Sequence, residues 1–462
     1  MNSKCFSRAI HPVKTIIVLV ASFWLMVGPA LGDDMSVLQS EAYKRLKLRI
    51  DPIHIIDTHE HIVSEESYLK RKADFLVDMT HYVEADLRSA GYPHDPAVDK
   101  GPRVQNANIP FEERWSLFEK YWPEVRFTGY GRALSMLTRD LYNLDLDRLT
   151  PDLGRELNQR IAATRTGGLY RRILKEKARI DLSIVDINTA DVDREFFAPV
   201  LRFDDFIQIR TRKQIEKLAE KAGIGVYSLE DLGKALQSQF EKAVQQKIIG
   251  IKSGLAYSRR IYYPLPAVAV VQDVFITIMQ RGEVTEEEAL PLQNYMMHQV
   301  CRLAEQNGLP FQIHTGLQTG NGNRITNSRP TDLVDLIMAY RNLKFVIFHS
   351  GYPYGSELAT MAKNFANVTI DLCWMHIISP RVARDYLSEY IETVPTNKIT
   401  GFGGDYRFVE GAAIHAEMAR QNVAWVLAEK LLNGYLNEDQ AVELAEKILR
   451  RNAISIYRLP LN

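Results

Sequence analysis

The sequence predicts an α/β protein in which eight parallel strands close into a (β/α)8 TIM barrel. From residue 180 onward, short apolar runs of strand length alternate with longer segments of helical periodicity, the spacing of parallel crossover units. An earlier apolar run at 53–59 brings the strands to eight, the number at which such units close. The glycine-rich stretch GLQTGNGN (316–323) lacks the spacing of a dinucleotide fingerprint, which disfavours a doubly wound sheet.

Each predicted strand is an apolar run bounded by turn or polar residues. The strands cover residues 53–59, 180–187, 196–203, 248–252, 310–314, 344–349, 367–373 and 399–405. Among the helical segments between them, 228–247 begins with a capping-box pattern formed by Ser228 and Asp231. Another helix is predicted over 285–307, ending at Gly308.

A long insertion, residues 64–178, separates the first two strands and is far longer than an ordinary βα loop. Its aromatic residues, among them Trp115 and Trp122, predict a small helical subdomain with its own core. Because the insertion leaves the carboxyl face of the barrel, we expect it to cap the site there. The chain thus divides into a leader (1–32), a barrel (33–63 and 179–462) and a helical insert (64–178).

The leader has the three-part pattern of a secretory signal peptide. Basic residues precede the apolar run IIVLVASFWLMV (16–27), and an Ala-x-Gly cleavage pattern ends at Gly32. This predicts a periplasmic or secreted protein with no stable membrane insertion after cleavage. The alternative is an uncleaved N-terminal membrane anchor, although the run is short for a span.

Composition excludes several classes of protein. Basic and acidic residues balance at 57 each, so no electrostatic footprint for nucleic acid is present. Beyond the leader, only Cys301 and Cys373 remain, too few for a disulfide framework. Both are predicted to be small buried apolar residues.

Polar, metal-capable side chains end several predicted strands, where another aliphatic or a turn residue would be expected. They are His59, His61, Lys252, His314, His349 and Asp405. The carboxyl ends of barrel strands meet at one face, so these side chains point at one central space. Imidazole and carboxylate suit Zn²⁺ or a similar divalent ion, which lowers the pKa of bound water.

This ordered set resembles the amidohydrolase superfamily, whose pattern is His-x-His on strand one, lysine on four, histidine on five and six, and aspartate on eight. The matching pieces are DTHEH, GIKSG, QIHTG, FHSG and FGGDY, spanning about 50–460 apart from the insertion. The motifs are most similar to a branch of metal-dependent hydrolases that also contains decarboxylases, and more distantly to uronate isomerases.

The resemblance implies a metal-activated hydroxide and a site for two ions. His59, His61 and Asp405 would hold one ion, His314 and His349 the second, and a carboxylated Lys252 would bridge both. Asp405 would also carry the proton from the hydroxide to the leaving group.

A one-ion site is the alternative. Lys252 would then carry no carbamate and would bind a substrate carboxylate, and His349 would act as a base or electrophile. That arrangement suits a decarboxylase or a uronate-isomerase-like enzyme. A barrel that only binds ligand is disfavoured, because all six chemical residues are present.

Residues predicted to contact substrate are Arg126 and Tyr130 in the insertion, and Tyr257, Arg259 and Arg260 after the fourth strand. Guanidinium groups bind carboxylates bidentately, so they indicate a small carboxylate-bearing substrate; surface ion pairing is the alternative. The sequence therefore predicts an exported metal-dependent hydrolase of an amide, ester or lactone bond. A homo-oligomer is left open.

Overall fold

The computed structural model describes residues 37–93 and 103–461. Its eight parallel strands form one sheet in chain order. They are β1 (Ile55–Glu60), β2 (Ile180–Val185), β3 (Phe197–Arg202), β4 (Gly250–Ser253), β5 (Phe311–Ile313), β6 (Phe345–Ile347), β7 (Val368–Asp371) and β8 (Ile399–Thr400). Every predicted strand is present, which confirms the parallel barrel.

Helices flank these strands. The α-helices are α1 (Glu41–Ile50), α2 (Glu65–Leu69), α3 (Phe75–Met79), α4 (Val83–Ser89), α5 (Phe111–Val125), α6 (Gly129–Tyr142), α7 (Pro151–Thr164), α8 (Asp204–Ile207), α9 (Arg212–Ala222), α10 (Leu229–Gln245), α11 (Val268–Arg281), α12 (Glu286–Asn307), α13 (Val334–Ala339), α14 (Gly355–Asn364), α15 (Met375–Ile378), α16 (Pro380–Thr393), α17 (Val409–Leu432), α18 (Glu438–Glu446) and α19 (Asn452–Tyr457). The segments Arg171–Lys177 and Lys447–Arg451 are π-helical.

Local sequence signals account for the helix ends. The predicted capping box between Ser228 and Asp231 forms at the start of α10. Helix α12 begins at a second box, made by Thr285 and Glu288, and ends where Gly308 adopts a left-handed conformation with φ of 62°. The helix predicted over 285–307 is thus confirmed to within a residue.

The barrel closes where the predicted eighth strand leaves regular geometry. Only Ile399–Thr400 is strand, and 401–405 is irregular, although the sequence predicts strand to 405. The irregular segment still joins β1, because Thr58 N donates to Phe402 O at 3.1 Å and Asp405 N to His59 O at 2.8 Å. Gly404 permits this approach, since a Cβ there would lie 1.8 Å from Glu60 Oε1.

Helices α2–α7 occupy the long connection between β1 and β2 and have their own aromatic core. Trp115 and Trp122 are buried in it, and Trp122 Nε1 donates to Leu146 O at 3.0 Å. These helices meet the barrel through a hydrogen bond of 3.0 Å from Tyr68 Oη to Glu410 Oε2 on α17. Both oxygen atoms are buried, so the contact holds the insert against the barrel wall.

Cys301 and Cys373 are both buried and free, as predicted. The predicted signal peptide, 1–32, lies outside the described residues and stays a prediction. Within the described ranges, no helix has the length and apolar character needed to cross a membrane.

We expect Arg165→Met to destabilise the insert. Arg165 pairs with Asp78 at 2.6 Å, and both side chains are only 3% exposed. Removing one partner leaves a buried carboxylate without its cation, so the free energy of unfolding should fall by about 3–5 kcal/mol in denaturant titrations.

Arg155→Met is the matched control, because Arg155 and its partner Asp152 are largely solvent-exposed. It should cost less than about 1 kcal/mol. Equal losses in the two variants would show that the Arg165 pair does not hold the insert.

Candidate metal centre

His59 of β1, His61 immediately after that strand, and Asp405 converge at the carboxyl face of the barrel. His61 Nε2 lies 3.2 Å and His59 Nε2 3.6 Å from Asp405 Oδ1. The other ring nitrogen of His61 donates to the carbonyl oxygen of Asp186 at 2.7 Å, which directs Nε2 toward the carboxylate. Strand alternation puts both rings on one side of β1, as the sequence predicts.

Glu60, between the two histidines, points to the opposite side and holds the segment that carries Asp405. Its Oε2 accepts the backbone N–H of Tyr406 at 2.6 Å. Asp57, also on β1, accepts the N–H of Gly404 at 3.0 Å through Oδ1. The residues on either side of Asp405 are therefore anchored to carboxylates of the strand that supplies the histidines.

The electrostatics of the centre follow from burial and from charge. Burial opposes ionisation of Asp405, but the hydrogen bond with His61 and the charge of nearby histidine rings outweigh it and hold the pKa of that carboxyl well below its usual range. Burial, and then the charge of Lys252, lower the pKa of His59 well below its ordinary value. Burial, and then Asp57, raise the pKa of Glu60 well above its usual range.

Four non-glycine residues following the last strands have left-handed backbone: His349 with φ of 59°, Ser350 with 49°, Trp374 with 67° and Asp405 with 60°. Such conformations are uncommon for these residue types and cluster at functional sites. Here they lie at the carboxyl ends of β6, β7 and β8, around the same central space.

The rings of His314 and His349 face each other through two nitrogen atoms that both lack a proton when the rings are neutral. His314 Nε2 must donate to the carbonyl oxygen of Leu317 at 3.0 Å, and His349 Nδ1 to that of Cys373 at 3.1 Å. In neutral rings the remaining nitrogens carry no proton, yet they lie 3.0 Å apart. Lone pairs that face each other at this separation repel, so the pair is stabilised by a shared proton or by a bound metal ion.

Burial disfavours the shared proton. Burial lowers the pKa of His314 well below its ordinary value, and lowers the pKa of His349 to about 4. The donor chemistry of this pair therefore fits a metal ion.

Lys252 is the residue before the last of β4 and is buried. Its Nζ lies 3.6 Å from the ring centroid of Phe348. Burial, and then the charge of Arg202, lower the pKa of Lys252 to about 8, so a fraction of the amine is neutral near neutral pH.

Two residues of the centre are missing from the sequence-based set. Asp186 follows β2, and one of its carboxylate oxygens is bound by Arg202 Nη2 at 2.5 Å, while the buried Oδ1 has no partner in the described structure. Its ligand atom groups with those of His59 and His61, all within 4.8 Å of one another. The sequence predicts strand over 180–187, which places Asp186 inside the strand, so the polar residue is not recognised as a strand end; in the structure β2 ends at Val185.

Cys373, predicted only as an apolar filler, groups in the same way with His349 and Asp405. Burial, followed by the charges of Asp405 and Asp371, raises the pKa of its thiol well above the usual range. Cys373 ends the predicted strand 367–373, so its position at a strand end is visible in the sequence.

An aromatic wall lines the insert side of the centre. Tyr82 stacks on Tyr130 with ring centroids 5.1 Å apart and contacts Trp374 at 4.8 Å. The Tyr82 hydroxyl donates to the backbone oxygen of Asp405. Tyr130, predicted to contact substrate, therefore lies in this wall.

Of the other residues predicted to contact substrate, one lies at the centre and three bind elsewhere in the protein. Tyr257 packs on His314 with ring centroids 4.6 Å apart. Arg126 instead pairs with Asp147 at 3.1 Å within the insert. Arg259 donates to side-chain oxygens of α12, and Arg260 makes a bidentate pair with Asp332 at 2.7 Å. Arg126 and Arg260 are thus engaged in surface ion pairs and Arg259 is bound by neutral side-chain amides, whereas the tyrosines lie at the centre.

Two cavities lie beside the centre. One, of about 740 Å³, lies against the insert and is lined in part by His81 and Arg407. The other, of about 790 Å³, follows the ends of β3 and β4 and is lined in part by Arg202, Asp204 and Tyr257. Either has room for a small molecule.

Comparisons with known proteins find similarity to one protein family, to several curated proteins and to solved structures. Residues 279–459 match a family described as Amidohydrolase. Protein fluG of Emericella nidulans is 30% identical over 181 residues, which are 37% of this chain and 20% of fluG. A uronate isomerase of Rhizorhabdus wittichii is 26% identical over 196 residues, 38% of this chain and 42% of that enzyme. The chain thus spans less than half the length of these two relatives.

A uronate isomerase of Thermotoga maritima has the same overall structure, with a TM-score of 0.74. The likeness covers 92% of this chain and 99% of the other, at 17% identity. At that identity the likeness shows the shared barrel fold.

We expect His59→Ala and His61→Ala each to lower the metal content of the purified protein, because each removes an imidazole facing Asp405. Metal analysis after extensive dialysis should show a loss of at least about tenfold in affinity.

The control is His54→Ala, which removes an exposed histidine paired with Asp181 just before β1. Its metal content should equal that of the wild type. Full metal content in both His59→Ala and His61→Ala would contradict the assignment of the centre.

Proposed function

We propose that the chain is a member of the amidohydrolase superfamily and, within it, a metal-dependent isomerase of a small sugar acid, of the uronate class. Several curated relatives are uronate isomerases, which supports this reaction over hydrolysis. The reaction moves a proton between neighbouring carbon atoms of an open-chain sugar acid. It requires a group that binds the carboxylate, a group that polarises the reacting oxygens, and a group that transfers the proton.

The main support for the proposal is Arg407, whose guanidinium is suited to bind the substrate carboxylate. It follows Asp405 by two residues, is exposed and lines the insert-side cavity. Its guanidinium has no carboxylate partner among the described residues. Burial, and then the charge of Arg407, lower the pKa of His81 to about 3. The Arg407 cation thus acts electrostatically on another residue that lines the same cavity. An unpaired guanidinium beside the centre suits bidentate binding of a carboxylate.

The metal would be held by His59, His61 and Asp405, and when bound it supplies a Lewis acid that polarises the substrate oxygens. Lys252 is the group best suited to transfer the proton. Its pKa of about 8 lies close to a neutral working pH, where a general base or acid is most effective.

Glucuronate and galacturonate should each be tested with Zn²⁺- and Mn²⁺-loaded protein. In D₂O, NMR should show formation of the keto acid, with solvent deuterium entering the carbon that receives the proton. Arg407→Gln should raise KM at least about tenfold, because a charge-assisted contact worth about 1.5–3 kcal/mol is lost.

Arg148→Gln is the control, because that side chain is 88% exposed on the insert and its nearest acidic partner, Asp145, is 3.8 Å away. It should leave KM unchanged. No keto acid from either uronate with either metal would overturn the isomerase proposal.

A two-ion hydrolase is the second candidate, and the pairing of His314 with His349 favours it. Their facing nitrogens, 3.0 Å apart, fit a second ion beside the first. Lys252 could serve that ion as a carbamate, since the neutral amine that reacts with carbon dioxide is accessible at a pKa of about 8. The substrate would then be an amide, ester or lactone.

Lys252→Ala separates the two candidates. In an isomerase it should leave about one ion per chain and lower kcat, because only the proton-transfer group is lost. In a two-ion hydrolase it should reduce metal content from about two ions to about one, because the bridge is lost. Metal analysis combined with kinetics therefore decides between them.

A further inference from the structure

We propose that the thiol of Cys373 is a metal ligand, which together with His349 and Asp405 forms a site for a thiophilic cation such as Zn²⁺. The inference rests on the metal dependence in the proposed function. Asp405 is shared with His59 and His61, so in a one-ion enzyme the thiol and His349 would join the same ion, and in a two-ion enzyme they would hold the second. One ligand atom from each of the three residues lies within 4.8 Å of the others, and all three residues are buried.

The three residues come from the carboxyl ends of three neighbouring strands. Cys373 lies two residues beyond β7, and its backbone N–H is held by Asp371 Oδ1 at 2.8 Å. Its carbonyl accepts a hydrogen bond from His349 Nδ1, which leaves Nε2 as the ligating nitrogen. The cysteine backbone thus orients one of the ligands that its own side chain would join.

Space for the sulfur atom is kept open by Gly403. A Cβ at that position would lie 2.9 Å from Cys373 Sγ, too close for two atoms that are not bonded. Gly403 belongs to the same segment as Asp405, so the thiol packs against the backbone that carries the carboxylate. A residue that served only to fill volume would not require histidine and carboxylate ligand atoms around its sulfur.

The separations suit one ion. Ligands about 2.0–2.3 Å from a tetrahedral Zn²⁺ lie about 3.4–3.7 Å from one another. His349 Nε2 and Asp405 Oδ2 are 4.0 Å apart, and the whole group stays within 4.8 Å. Closing these gaps requires movements of about 1 Å or less, within the reach of side-chain rotation.

A sulfur ligand gives the site a preference that imidazole and carboxylate alone lack. Thiolate favours Zn²⁺ and other soft or borderline cations over Mg²⁺ and Mn²⁺. Binding forms one Sγ–metal bond, breaks the S–H bond and releases the proton to solvent. His314 Nδ1, 3.0 Å from His349 Nε2, lies beside the same ion.

Cobalt substitution tests the proposal directly. Co²⁺-loaded protein should show visible d–d bands together with an intense near-ultraviolet band from thiolate-to-metal charge transfer. Cys373→Ser should keep d–d bands and lose the charge-transfer band. Its Zn²⁺ affinity should fall at least about tenfold, while its Mn²⁺ affinity changes less than about twofold.

Cys301→Ser is the matched control, because it removes the other buried free thiol, which lies on α12. It should keep the charge-transfer band. Wild-type Co²⁺ protein with d–d bands but no charge-transfer band would overturn the Cys373 ligand and leave the proposed function standing. Failure of the wild type to bind Co²⁺ or Zn²⁺ at all would overturn both.

Discussion

The junction between β8 and β1 is the constraint on which the centre depends. Three consecutive backbone N–H groups, those of residues 404–406, donate to β1: to Asp57 Oδ1, to the carbonyl oxygen of His59 and to Glu60 Oε2. One strand thus supplies two imidazoles and also positions the carboxylate opposite them. The distance between the histidines and Asp405 is consequently set by the closure of the barrel, and rotamers only adjust it.

This junction carries an electrostatic cost. Burial raises the pKa of Asp57 to about 6, and Glu60 Oε1 is buried without a hydrogen-bond partner among the described residues. Two neighbouring buried carboxyls cannot both ionise cheaply, so the pair is expected to share a proton at neutral pH. Hydrogen bonds from Gly404, Tyr406 and Ser183 offset part of this cost. The arrangement exchanges stability for a fixed ligand geometry, as is common at functional sites.

The barrel could be predicted from the sequence because periodicity is a local property. Each strand is an apolar run, and a polar residue at its end is visible without knowing the fold. The same rule applies to Cys373, which ends the predicted strand 367–373, but a cysteine there also occurs as an ordinary apolar residue. It does not apply to Asp186, because the apolar run continues through Ile187 and the strand end at Val185 is visible only in the structure. Arg126 and Arg259 could not be assigned in this way. Whether an arginine is paired depends on partners such as Asp147 that only the tertiary structure brings near.

The number of ions and the chemical state of Lys252 are coupled. Lys252 is buried near Arg202, whose charge already lowers its pKa, and near histidines that would hold cations. A protonated ammonium there repels each added divalent ion, and burial weakens the screening of that repulsion. One ion is compatible with a neutral amine available for proton transfer. Two ions require an anion at this position, and a carbamate on Lys252 provides one. The two proposed reactions, isomerisation with one ion and hydrolysis with two, would therefore differ in the charge carried by Lys252.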